Sequence, residues 1–139
     1  ATVETLSRVG FACTLYDNRP EFAVPERFPS AQEVICGSYQ DIAASFAFDK
    51  RDFVLIMTSG HESDFAVLEQ ALRQPLAYVG MMGSRRKIAT GRSRMLQAGI
   101  SEEAFDAVHA PIGLEIKAET PEEIAVSIAA ECILCRAEG

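Results

Sequence analysis

Short apolar runs alternate along the chain with segments in which apolar residues recur every three or four positions. The runs are rich in β-branched and aromatic residues, which is typical of buried strands. We predict strands at 11–17, 33–36, 53–58 and 77–81. The periodic segments are typical of amphipathic helices. We predict helices at 3–9, 41–46, 62–73, 84–97 and 120–136, with a short one that starts at Ser101. This alternation predicts an α/β fold with a doubly wound parallel sheet.

Glycine, proline and capping residues mark where several of these elements end. Gly10 follows the first helix, in the position where a left-handed residue commonly ends one. Three prolines make 18–30 a surface connection. Thr120, Pro121 and Glu123 combine an N-cap, a proline in the first turn and a reciprocal glutamate. The last helix is therefore the best-marked element.

Composition narrows the class of protein. The chain has 139 residues, 48% of them hydrophobic, which predicts a single domain over 1–139. The net charge of −7 disfavours nucleic acid and anionic membranes as partners, because both are bound by basic surfaces. Neither a membrane-spanning run nor a signal peptide is evident, which predicts a cytoplasmic protein. The four cysteines have apolar neighbours, as buried thiols in a reducing compartment do.

Asp17 ends the first predicted strand. Ligands of doubly wound sheets lie beyond the carboxyl ends of the strands, and an acid in this place commonly binds the ribose of a dinucleotide. Arg19 follows closely and is suited to a 2′-phosphate, so NAD and NADP are not separated. The alternative is a turn-forming Asp-Asn pair before Pro20.

A second candidate site follows the strand at 53–58. Gly60 would let a ligand approach the backbone, and His61 is suited to donating a hydrogen bond or moving a proton near neutral pH. Asp64 lies on the same helical turn. The alternative is a histidine that only caps the helix or bonds within the loop. Too few ligands are present for a metal site.

A glycine turn into a basic helix gives the strongest local signal. Free N–H groups at the start of a helix bind anions, and basic side chains placed there suit a phosphate. The alternative is that these side chains only extend into solvent. The candidate residues are Gly80, Met82, Gly83, Ser84, Arg85 and Arg86.

Two further patterns have simpler interpretations. Cys132 and Cys135 have the spacing of a redox or metal pair, but they lie within the last predicted helix without a second pair, which favours core packing. Glu123, Ser127 and Glu131 form a polar stripe, which predicts a solvated or partner-facing helix face.

Four stretches of the chain resemble the C-terminal Rossmann-like domain of the XdhC/CoxI family, the accessory proteins of xanthine and carbon monoxide dehydrogenases. The stretches are GFACTLYDNRPEFA with ERFPSA, TSGHESD, YVGMMGSRRK and HAPIGLEIKAETPEEIAVSIAAE. They extend over 10–131, nearly the whole chain.

The resemblance implies a chaperone and not an enzyme. Such a protein binds the molybdenum cofactor, as molybdopterin or its dinucleotide form. It protects the cofactor during sulfuration by a cysteine desulfurase and passes it to an apo-molybdenum hydroxylase of the xanthine or carbon monoxide dehydrogenase type. The turn from Gly83 to Arg86 would hold a phosphate, with His61 and Asp64 at the same rim. Pro111 and Gly113 would shape the far wall.

The chain also departs from this family. Family members have a first strand with a glycine-rich turn and an N-terminal region with a cysteine, and the sequence contains neither. Cys13 and Cys36 do not match that cysteine motif. We therefore expect a fragment of a longer protein that lacks the central strand. The two strands beside the gap would have unpaired edges, which favours a homodimer.

Two other functions stay open. An NAD(P)-dependent oxidoreductase would use Asp17 for the cofactor and His61 as proton donor. A protein-interaction module without a ligand would dock a partner on the last helix.

Overall fold

Parallel strands form two separate two-stranded sheets in the part of the chain that the structure describes. The computed structural model describes residues 1–58 and 61–139, apart from the side chains of residues 61 and 62. In the first sheet β1 (Thr14–Asp17) pairs with β2 (Glu33–Cys36), with Thr14 opposite Glu33. In the second β3 (Phe53–Ile56) pairs with β4 (Tyr78–Met81), with Phe53 opposite Tyr78.

Side chains rather than strand pairing connect the two sheets. The ring of Phe11, just before β1, meets the ring of Phe53 at 5.3 Å. Tyr16 of β1 packs against the core cluster that contains Ile56 of β3. Within the described residues β1 and β3 are not paired with each other. The expected α/β sheet without its central strand is therefore confirmed.

Residues 109–112 extend the second sheet, which the sequence pattern did not predict. The N–H of His109 donates to the Val79 carbonyl at 2.9 Å, and the His109 carbonyl accepts from Met81 N–H at 2.9 Å. Gly80 and His109 form a parallel bridge. The segment escaped prediction because it is too short to show a period.

Helices cover both faces of the sheets. They are α1 (Thr2–Arg8), α2 (Ile42–Ser45), α3 (His61–Leu72), α4 (Arg85–Ala89), α5 (Arg92–Gln97), α6 (Glu102–Asp106) and α7 (Pro121–Glu138). One core cluster contains Leu68 of α3 and Met95 of α5, and the other contains Leu6 of α1 and Ile128 of α7. The doubly wound arrangement places helices on opposite sides, as predicted. None of the described helices is both long and apolar enough to cross a membrane.

The prediction of one helix over 84–97 is wrong, because the chain turns between α4 and α5. The N–H groups of Thr90 and Gly91 bond three residues back instead of four, and the Thr90 hydroxyl donates to the Lys87 carbonyl at 2.6 Å. Such a side-chain bond competes with the helical ladder. The turn lets α5 bury Met95 completely.

The last helix begins as its sequence predicts. The Thr120 hydroxyl accepts from the N–H of Glu123, and the Glu123 carboxylate accepts from the N–H of Thr120, each at 3.1 Å. This is the reciprocal capping box, with Pro121 in the first turn.

Candidate functional site

A buried ion pair lies where β3 and β4 end. Asp64, in the first turn of α3, has a side chain that is 1% exposed, and its Oδ2 lies 2.7 Å from Nζ of Lys87 in α4. The Thr58 hydroxyl donates to the other Asp64 oxygen. Lys87 also approaches the Met82 carbonyl at 3.5 Å. The loops after β3 and β4 are therefore tied together through Asp64 and Lys87.

Gly83 makes room for that lysine. Its φ of +121° lies in the region that favours glycine, and a Cβ at this position would come within 2.7 Å of Cδ of Lys87. The hydroxyl of Ser84 accepts from the N–H of Lys87 at 3.1 Å and caps α4. The turn thus directs the Lys87 side chain towards the interior and leaves the first residues of α4 at the surface.

This arrangement leaves the side chains of Arg85 and Arg86 accessible to a ligand. Both are exposed, and no ion pair is found for either within the described part of the chain. Residues 70–101 contain no aspartate or glutamate, although the whole chain has 20 acidic residues and only 13 basic ones. The segment that contains the two arginines is therefore basic on an acidic chain. Because α4 has only five residues, the positive charge comes from the arginines and not from a helix dipole.

The other predicted residues around β4 occupy defined positions. Gly80 is buried in the strand itself, where a Cβ would meet Ile112 at 2.8 Å, and Met82 is exposed after it. Pro111 is exposed and follows a cis peptide bond. Gly113 has φ +96°, and a Cβ there would come within 3.2 Å of the α7 backbone. Its N–H donates to the Glu131 carboxylate at 3.0 Å, and this hydrogen bond fixes the segment around Gly113 to α7.

Gly60 lies outside the described residues, and so does the side chain of His61. The backbone of His61 begins α3. Their predicted roles therefore remain predictions.

In the first sheet, the carboxylate of Asp17 is paired with the side chain of Arg19, two residues further along the chain. It is buried, and its two carboxylate oxygens accept from Nε and Nη2 of Arg19, each at 2.9 Å. This hydrogen bonding lowers the pKa of Asp17. The Arg19 guanidinium also lies 4.1 Å from the centroid of the Phe22 ring. In this structure the carboxylate that would bind a ribose and the guanidinium that would bind a 2′-phosphate satisfy each other.

The interpretation of Ser127 and Glu131 as a solvated stripe is wrong. Both residues are buried, and Glu131 Oε1 accepts from the hydroxyl of Tyr78 at 2.6 Å. The His109 ring stacks on Tyr78 at 4.5 Å, with its Nδ1 3.6 Å from the same oxygen. Burial, followed by the Glu131 hydrogen bond, strongly raises the pKa of Tyr78. The sequence signal for this network was Glu131 itself, a single glutamate between alanines and a cysteine in an otherwise apolar helix.

The prediction that Cys132 and Cys135 serve core packing is confirmed for Cys132, which is 1% exposed, while Cys135 is half-buried. Burial raises the pKa of Cys132 to about 12 and also raises that of Cys135. Such thiols stay protonated near neutral pH and are poor metal ligands. Within the described residues, no cluster of three or more histidine, cysteine or acidic side chains is placed to hold a metal ion.

Comparison with known proteins identifies the family. A family model described as the XdhC Rossmann domain matches residues 1–132. The chain belongs to this family. It is 33% identical over 135 residues to the protein YqeB of Escherichia coli K12, covering 96% of this chain and 24% of YqeB. It is 32% identical over 127 residues to a probable xanthine dehydrogenase subunit from Bacillus subtilis, covering 91% of this chain and 36% of that protein.

A solved structure supports the XdhC Rossmann assignment. A crystal structure described as a xanthine dehydrogenase from Bacillus halodurans superposes with a TM-score of 0.85 at 35% identity. The match covers 99% of this chain and 39% of that one. The XdhC domain thus spans between about a quarter and two-fifths of the length of these relatives.

Proposed function

We propose that this XdhC domain serves the maturation of a molybdenum hydroxylase of the xanthine dehydrogenase type, as part of an accessory protein and not as an enzyme. Family membership supports this proposal, as do the names of the Bacillus subtilis and Bacillus halodurans relatives, which both refer to xanthine dehydrogenase. The chain covers only part of each relative. A role in maturation that belongs to a whole accessory protein is therefore assigned to this domain as a proposal.

The observation that carries a ligand-binding role is the pair of exposed arginines at the carboxyl edge of β4, for which the described residues provide no ion pair. A phosphate accepts hydrogen bonds from guanidinium groups in a planar, two-pronged geometry. Arg85 and Arg86 would hold the phosphate or pyrophosphate of molybdopterin or its dinucleotide form. Lys87 is not available for this because Asp64 neutralises it.

The neighbouring residues receive supporting roles in this proposal. Asp64 acts indirectly, since it is buried and holds Lys87 and hence the turn at Gly83. Ser84 caps α4, and the exposed Met82 offers an apolar contact for a pterin ring. His61 and Gly60 would line the rim from the β3 side. Pro111 and Gly113 would form the opposite wall, held by the bond from Gly113 to Glu131.

The side chains present fit the phosphate end of the cofactor better than its metal. The thiol of Cys132 is buried, and those of Cys13 and Cys135 are half-buried; burial raises the pKa of all three, so they are poor ligands for molybdenum. When bound, the cofactor brings the redox chemistry that the client hydroxylase uses. The domain would hold and orient it for a cysteine desulfurase and then for the apo-hydroxylase.

The test compares the complete gene product with its Arg85→Ala/Arg86→Ala double variant. The molybdenum cofactor, released from a hydroxylase, is titrated into each protein. We expect the double variant to bind about 10- to 100-fold more weakly, since each arginine contributes a contact of about 0.7–1.4 kcal/mol, which corresponds to a factor of about three to ten. The matched control is Arg8→Ala/Arg51→Ala. It removes the same charge from two exposed arginines paired with Glu4 and Asp49.

Equal affinity of the two double variants would refute the arginine site. A parallel titration with NADH tests the dinucleotide alternative. Binding of NADH that Asp17→Asn weakens and Arg85→Ala/Arg86→Ala does not would favour the oxidoreductase interpretation.

A further inference from the structure

The carboxylate of Asp17 is saturated with hydrogen bonds from its own chain. Its Oδ1 accepts from both the backbone N–H and Nε of Arg19, each at 2.9 Å, and its Oδ2 accepts from Nη2 of Arg19 at 2.9 Å. The Tyr39 hydroxyl also hydrogen-bonds to this carboxylate and lowers the pKa of Asp17. An ionised carboxylate offers about four lone-pair sites. Donors of the chain itself therefore fill the acceptor capacity of Asp17.

The guanidinium of Arg19 is held in place by more than the carboxylate. The Phe22 ring lies beneath it, with 4.1 Å between Cζ and the ring centroid. The Arg19 carbonyl accepts from the N–H groups of Phe22 at 3.1 Å and of Ala23 at 2.8 Å, so the turn that carries the side chain is itself fixed. The Phe22 ring in turn meets the ring of Phe28 at 5.2 Å. Moving Arg19 away from Asp17 would break the ion pair and the contact with the ring.

This pair occupies the place where a dinucleotide fold binds a ribose. The 2′-hydroxyl of a bound ribose donates to an acid at the carboxyl end of this strand, and it needs an oxygen with a free lone pair. A ribose here would have to displace the two-pronged pair between Asp17, whose side chain is 10% exposed, and Arg19. One hydroxyl offers a single hydrogen bond in exchange for that charge-assisted pair, so the exchange is unfavourable.

We propose that Arg19 is a specificity-determining residue that closes the ribose position at Asp17 and excludes dinucleotides with a free 2′-hydroxyl. A consequence for the cofactor rests on the proposed function. The dinucleotide form of molybdopterin carries a nucleotide with its ribose, so the domain would take the cofactor as molybdopterin itself. The closure of the ribose position does not depend on that function.

Fluorescence titration of the complete gene product with NADH, in the absence of molybdenum cofactor, tests the closure. The adenosine ribose of NADH has a free 2′-hydroxyl. We expect Arg19→Ala to bind NADH at least about tenfold more tightly than the wild type, because one hydrogen bond to a charged group corresponds to about that factor or more. The double variant Asp17→Ala/Arg19→Ala should lose this gain, since it has no carboxylate to receive the ribose.

Arg27→Ala is the matched control. The Arg27 guanidinium lies 5.3 Å from the centroid of the same Phe22 ring, whereas the ion pair of Asp17 is formed with Arg19. Its removal takes away the same charge from the same surface and should leave the affinity for NADH unchanged. Circular dichroism checks that each variant is folded. Arg19→Gln, which keeps a polar side chain but loses the charge, replaces Arg19→Ala if that variant does not fold.

Two results would overturn the proposal. One is an affinity for NADH that is no higher in the Arg19 variant than in the wild type, whether both proteins bind it or neither does. The other is binding of NADPH by the wild type that Arg19→Ala abolishes, which would make Arg19 a ligand of the 2′-phosphate. Failure of the phosphate site at Arg85 and Arg86 would not alter the NADH titration, so the two proposals are tested separately.

Discussion

Removing the ammonium group of Lys87 should destabilise the domain more than neutralising the carboxylate of Asp64, although both changes break one ion pair. The two groups lie 2.7 Å apart, but the Asp64 side chain is 1% exposed and that of Lys87 is 23% exposed. The two variants therefore leave different unpaired groups in the folded protein.

The magnitudes follow from that difference in exposure. Lys87→Met leaves a buried carboxylate with no cation and little access to water, which costs about 3–5 kcal/mol of unfolding free energy. Asp64→Asn leaves an amide that still accepts from Thr58, and the long lysine side chain can turn towards solvent. That change should cost about 1–2 kcal/mol. Against a typical stability of about 5–15 kcal/mol, the difference is easily measured.

Urea unfolding followed by circular dichroism provides the assay. The double variant Asp64→Asn/Lys87→Met serves as control and should lose less than the sum of the two single losses, because no charge stays buried. Equal losses for the two single variants, or a greater loss for Asp64→Asn, would refute the assignment of Asp64 and Lys87 as a buried pair that ties the two loops.

Three further predictions concern other contacts. Tyr78→Phe removes a hydrogen bond of 2.6 Å to Glu131 and should lower the unfolding free energy by about 1–3 kcal/mol in urea titrations, since it leaves a buried acceptor with one donor fewer. Gly113→Ala should lower the melting temperature more than Gly99→Ala: both have positive φ, but only at Gly113 would a Cβ crowd α7. The neighbouring guanidinium lowers the pKa of Asp17, so this pair stabilises the fold above the unfolded pKa of about 3.9, and the gain is lost as pH falls through the lower folded pKa. Thermal unfolding between about pH 2 and 5 should therefore vary less for Asp17→Asn than for the wild type.

The elements were predictable where the sequence itself carries their cause. The capping box at Thr120 depends on three nearby residues, and both of its hydrogen bonds are present. The division of the sheet also followed from the sequence, because the predicted strands lacked the one that would be central. Residues close in the chain determine the capping box, and the order of the predicted strands determines the gap in the sheet.

Features that depend on distant contacts were not predictable. Glu131 meets Tyr78 across 53 positions, and a helical pattern alone marks it as one more polar residue. In the sequence Lys87 is one of three equivalent basic residues, and only the fold brings Asp64 to it from 23 positions away. Sequence reasoning thus proposed candidate residues at this turn, but it did not predict that Lys87 would pair with the buried Asp64 while Arg85 and Arg86 stay exposed.

Identification of the small molecule that the protein carries tests the central claim most directly. The complete gene product is purified from a host that makes the molybdenum cofactor, and the released ligand is analysed by mass spectrometry with molybdenum quantified alongside. We predict a phosphate-bearing molybdopterin, or its dinucleotide form, that is lost from Arg85→Ala/Arg86→Ala and kept by Arg8→Ala/Arg51→Ala. A nicotinamide dinucleotide in its place, or equal retention of the cofactor by both double variants, would contradict the account.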